Sequence, residues 1–103
     1  MAKFVLAYRG GSAPESEAEQ EEVMQAWMGW FGRLGAAVVD GGNPFGPSMT
    51  RTGDGEPTEG APSELTGYSI LEAADLKAAA EMAGGCPILS GGGSVDVYEA
   101  MPM

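Results

Sequence analysis

Apolar positions along the chain change period several times, and each change marks an element. The run Lys3-Phe4-Val5-Leu6-Ala7-Tyr8 is cut off by Gly10-Gly11 and predicts a first strand. Further on, Val23, Trp27, Trp30, Phe31 and Leu34 follow one another at spacings of 4, 3, 1 and 3. That is one face of an amphipathic helix, running to about Gly35. Ser16 with Glu19 three residues later has the form of a capping box, and Pro14 just upstream suits a helix start. Glu15, Glu17, Glu19, Glu21 and Glu22 fall in its opening turns, where the helix dipole favours negative charge. Residues 36–40 predict a short second strand, stopped by Gly41-Gly42.

The stretch 43–64 is rich in Gly, Pro, Ser, Thr and acid. A structureless loop of that length is uncommon in a compact domain. Residues 47–52 are therefore read as an extension of the second strand and 53–62 as a mobile hairpin tip. Residues 65–71 alternate Tyr68 and Ile70 against Gly67 and Ser69 and predict a third strand. Asp75 is a natural N-cap for a second helix with a small-residue face of Leu76, Ala79, Ala80 and Ala83. Gly84-Gly85 ends that helix and Pro87 prevents its resumption. Residues 94–99 alternate as a fourth strand.

The order β-α-β-β-α-β predicts one α+β domain over residues 1–103, on the ferredoxin-like plan. Right-handed crossovers would place both helices on one face of an antiparallel sheet. The other face is then bare, although Val5 and Ala7 stand opposite Phe4, Leu6 and Tyr8 in the alternation, and Val95 and Val97 opposite Tyr98. An apolar face open to water calls for a cover, and in so short a chain a second copy is the expected one.

Charge then removes several functions. Fifteen acids against five bases give a net charge of −10, and no Lys/Arg cluster overrides it locally. Such a field repels phosphate backbones and anionic lipid, so neither nucleic acid nor a membrane surface is an expected partner. No apolar run approaches the ~20 residues of a membrane span. The first residues lack the basic-then-apolar layout of a secretion signal, and one cysteine, Cys86, cannot make an internal disulfide. Both point to the cytoplasm. The absence of histidine removes the commonest general base, the commonest zinc ligand and any Ser-His or Cys-His pair. No metal site or cofactor motif is expected.

At this point several stretches together resemble the YCII-related proteins, in particular their DGPF-type branch. They are AKFVLAYRGG, MQAWMGWFGRLG, AVVDGGNPF, LTGYSILEAADLKAAAEMAGGCP and GGGSVDVYEAMPM. The resemblance runs over nearly the whole chain in the same order. It implies a ferredoxin-like fold pairing as a homodimer into a dimeric α+β barrel, with a cleft between sheet and helices as the suspected active site. Two departures stand out. Another branch of the family carries a His on the first helix, proposed to pair with an Asp, where this chain has Trp27, Met28 and Trp30. The Asp-Gly-Pro-Phe motif is split, with Gly42-Asn43 between Asp40-Gly41 and Pro44-Phe45.

Five residues carry the site expectation. Asp40 is either a turn residue accepting backbone N–H bonds or a cleft carboxylate acting as a base. Trp27 and Trp30 are either core of the first helix or the walls of a pocket for a flat apolar ligand. Tyr68 and Tyr98 are either hydrogen-bonded packing residues or polar groups of the cleft. Gly91-Gly92-Gly93 lacks the following Lys and helix of a phosphate loop. Cys86 follows a helix C-terminus, the wrong end of the dipole for a thiolate, and is expected to be inert. The glutamate run reads as a solvated face. Three functions remain open: a homodimeric protein binding a small organic ligand or partner, a small cofactor-free enzyme, and a regulatory interaction module linked to transcription. The sequence does not decide whether any reaction is catalysed.

Overall fold

The computed structural model describes residues 1–11 and 15–102, so the expectation for Pro14 lies outside the described residues. Its elements in chain order are β1 (Ala2–Arg9), α1 (Glu17–Leu34), β2 (Val38–Asp40), β3 (Met49–Thr50), β4 (Thr58–Glu59), β5 (Leu65–Ala73), α2 (Leu76–Ala83) and β6 (Ser94–Ala100). Four strands form an antiparallel sheet in the order β2-β5-β1-β6, so β1 lies inside, paired with β5 and β6. This α+β arrangement of two helices and an antiparallel sheet is compatible with a ferredoxin-like fold. No helix among the described residues is long and apolar enough to cross a membrane.

Both helices start where the sequence predicts. Ser16 accepts the Glu19 N–H at 3.2 Å, while the Glu19 carboxylate accepts the Glu15 N–H at 2.9 Å, one residue earlier than in the usual capping box. Asp75 caps α2 by accepting the Ala78 N–H at 2.8 Å. A cap of this kind stabilises its helix by about 1 kcal/mol. The last turn of α1 closes at Gly35, whose φ of +57° is one that L side chains rarely adopt.

The core lies on one face of the sheet. Phe4, Leu6 and Tyr8 of β1 pair across with Leu71, Ser69 and Gly67 of β5, and pairs directly opposite share a face. Trp30 of α1 and Ala79 and Ala83 of α2 pack into the same cluster, which puts both helices on this face. Trp30 is its largest member, and its indole N–H donates to the Met82 carbonyl at 3.1 Å, tying α1 to the end of α2. Cys86 is buried beside them as a free thiol, with its pKa pushed by burial up to about 11.

The opposite face carries Lys3, Val5, Ala7 and Arg9 of β1, Tyr68, Ile70 and Glu72 of β5, and Asp96 and Tyr98 of β6. No helix among the described residues packs on it. Arg9 and Asp96 form an exposed ion pair there.

Five expectations need correction. Residues 35–37 form a 3₁₀ turn, so β2 begins only at the β-branched pair Val38-Val39. Residues 47–52 do not extend β2. Pro47 has no N–H to donate to a ladder, and the two-residue β3 pairs instead with β4 in a separate two-stranded sheet. Thr58 and Glu59, placed by the sequence in a hairpin tip, are strand, held by Gly60 N–H to Ser48 O and Ala61 N–H to Ser48 Oγ, both at 2.9 Å. On α2 the inward residues are Ala79 and Ala83, with Ala78 and Met82 packed against the core, while Leu76 and Ala80 face water. Val23 is likewise exposed, because every residue of α1 from Glu17 to Ala26 is exposed.

Candidate functional site

Between α1, the loop after β2 and the start of β5 lies a cleft of about 480 Å³, within the usual range for small-molecule sites. One wall is helical. Met24, Trp27, Met28 and Phe31 recur at i, i+3, i+4 and i+7, so they share a stripe of α1 that faces the cleft. The floor holds Tyr8 of β1, whose ring meets that of Trp27 edge to face with centroids 5.2 Å apart. Trp27 in turn leans on Phe31 at 5.8 Å. The far wall is backbone-rich, from Gly41 to Pro44 and from Thr66 to Tyr68, and Ile88 closes one end.

Glycine makes the far wall possible. At Gly42, φ is +75° and an added Cβ would stand 1.7 Å from the Tyr68 carbonyl oxygen. Only a residue without Cβ lets the loop lie this close against β5. The Tyr68 N–H donates to Asn43 O at 3.4 Å and the Phe45 N–H to Thr66 O at 2.9 Å, which fixes the loop along the strand.

A buried hydroxyl relay runs under the cleft. Tyr8 OH donates to Ser69 Oγ at 2.6 Å, and Ser69 Oγ donates to Gly41 O at 2.7 Å. Burial raises the Tyr8 pKa above the ordinary phenol value, with the Ser69 hydrogen bond only partly offsetting it. The phenol is thus neutral at physiological pH and its proton is committed to Ser69. Thr66 Oγ1 donates to Tyr8 O at 3.2 Å.

Of the five residues expected at the site, the structure lines the cleft with Trp27 and with the strand segment at Tyr68, whose register puts its side chain on the opposite face of the sheet. Asp40 lies one residue before its wall. It accepts the Gly42 N–H at 2.8 Å, the Asx turn of its first reading, and receives Tyr68 OH at 3.3 Å. Tyr68 also stacks on Phe45, with ring planes 19° apart. Trp30 is core, only 2% exposed, and does not line the cleft. Tyr98 points away on the open face and is 59% exposed.

Tyr8, Phe31, Met24 and Met28 were missed. The signal for three of them was present, since Met24, Trp27, Met28 and Phe31 form a second helical stripe beside the core stripe. Tyr8 is not distinguishable in sequence from the other inward residues of β1. The N–H groups of Gly91, Gly92 and Gly93 donate to the carbonyls of Ile88, Leu89 and Ile88, a turn and not an anion cradle. No group of His, Cys, Asp and Glu among the described residues could hold a metal ion. No protein-family model matches the chain, and no curated protein matches it.

Proposed function

We propose that this chain is a cytoplasmic, YCII-like homodimer that binds a small organic molecule in the cleft between α1 and the sheet. The observation that carries the reading is the cleft itself: about 480 Å³, with an aromatic floor and wall and a loop held in place by hydrogen bonds. The reading is one of binding and not catalysis. No lining residue carries a charged side chain, and the phenol of Tyr8 has its proton engaged by Ser69.

Dimerisation is supported by the open face. Val5, Ala7, Tyr68, Ile70 and Tyr98 make its apolar centre, and Lys3, Arg9, Glu72 and Asp96 put both charge signs among them. A two-fold contact can therefore match each sign with its opposite.

A thermal-shift screen of small organic compounds tests binding, because a ligand of the native state raises the apparent stability. At least one compound should raise Tm and move the NMR signals of Gly41, Gly42 and the Trp27 indole. Hits that leave those signals in place would overturn the cleft assignment. Light scattering should give twice the chain mass, and a Tyr98→Lys, Ile70→Lys variant should give the monomer. A wild type that stays monomeric on concentration removes the dimer.

A further inference from the structure

We infer that the cleft selects uncharged aromatic ligands and rejects charged ones of the same size, carboxylates most strongly. This deepens the proposed function and rests on it. The argument starts from the lining, where none of the thirteen residues is Asp, Glu, Lys or Arg. The five cationic side chains, Lys3, Arg9, Arg33, Arg51 and Lys77, all lie elsewhere.

A ligand anion whose charge sat inside this cleft would give up its water with no cation to replace it. Leaving a charge desolvated and unpaired costs several kcal/mol. The field of a protein with net charge −10 adds to that cost for an anion.

A cation is the nearer competitor, because the same field attracts it and the rings of Tyr8, Trp27 and Phe31 offer cation–π contacts. Those contacts offset part of the desolvation of a cation. No carboxylate lines the cleft to make up the difference. The Tyr8 hydroxyl supplies no anion either, since burial holds the phenol neutral. A neutral ring meets none of these costs. It gains edge-to-face or stacked contacts with Trp27 and Phe31 in addition to the buried area.

The test is a titration of the full chain with three probes of one ring size: 2-naphthol, 2-naphthylmethylammonium and 2-naphthoate, at neutral pH and fixed ionic strength. Shifts of the Gly41 and Gly42 amides and the Trp27 indole report occupancy of the cleft. Naphthol should bind at least tenfold tighter than naphthoate, with the ammonium between them. Naphthoate binding as tightly as naphthol would overturn the selectivity while leaving the cleft as a binding site. An ammonium that binds tightest would overturn it too, in favour of an aromatic cation box. If none of the three moves these signals, the cleft reading itself fails and this inference with it.

Discussion

Replacing Trp30 by alanine separates a core residue from a wall of the site. The indole is 2% exposed and touches the rings of Trp27 and Phe31 at 5.7 and 5.1 Å. An added Cβ on Gly85 would stand 3.0 Å from its Cδ1, so backbone encloses the ring on that side and cannot readily collapse into a void. Truncation of a buried Trp to Ala costs about 3–5 kcal/mol, and poor collapse places this site at the upper end. The lost hydrogen bond adds little, because Met82 O also accepts the Gly85 N–H at 3.3 Å and is not orphaned. Trp30→Phe, which keeps a ring, should therefore cost only about 1–2 kcal/mol. Against a total stability of about 5–15 kcal/mol, the alanine variant should lose a third or more and melt on the order of 20 °C lower. Urea unfolding followed by circular dichroism measures both variants, with an unchanged slope as the sign that one transition is compared. A Trp30→Ala loss below about 1.5 kcal/mol would refute the packing argument.

Ser69→Ala removes the middle of the hydroxyl relay and leaves the Tyr8 hydroxyl and the Gly41 carbonyl without their partner, a loss of about 2–3 kcal/mol. Combining it with Tyr8→Phe should cost clearly less than the sum of the two single changes, and strict additivity in urea unfolding would break the relay. Gly42→Ala should abolish or severely destabilise the fold, whereas Gly46→Ala, where an added Cβ meets nothing within 4 Å, should behave as wild type; equal melting temperatures would contradict the close approach to Tyr68. Stability should also fall at alkaline pH. Burial pushes the Cys86 thiol up to about 11 and raises the Tyr8 phenol, so the folded state keeps protons that the unfolded chain has released. The thiol's contribution is whole below about pH 9.0, the ordinary value of the unfolded chain, and is lost as pH rises through 11. Cys86→Ala should flatten this fall in urea midpoints, and an unchanged slope would remove Cys86 as its source.

Much of the fold was legible because local chemistry and tertiary packing agree. Ser16 and Asp75 are caps in sequence and in structure, and the inward Phe4, Leu6 and Tyr8 follow the period of the strand. The misses have a common physical origin in packing beyond the local pattern. Val23 continues the helical period of Trp27 and Trp30 but lies in the exposed half of α1, and no periodicity tells how far a sheet reaches beneath a helix. Leu76 is more hydrophobic than Ala79, yet it is the alanine that packs into the core. Asp40 was legible as a turn residue from the glycines after it. The cleft was half legible, through Trp27 and Tyr68, because its other wall is backbone brought near by long-range pairing of the loop with β5.

The position of β1 also sets the order in which the protein can be made. Of the described strands it is made first, and its two neighbours are β5 and β6, the last of which ends at Ala100. The hydrogen-bond ladder of β1 must therefore wait until β6 has been made before it is complete. At a synthesis rate of about 5–20 residues per second the wait is on the order of ten seconds. Folding by such distant pairings is slow compared with folding of a helical bundle, since loop closure precedes any stabilising contact. In the interval a nascent chain shows an apolar strand to its surroundings, and the dense negative charge of residues 15–22 immediately behind it keeps neighbouring copies apart.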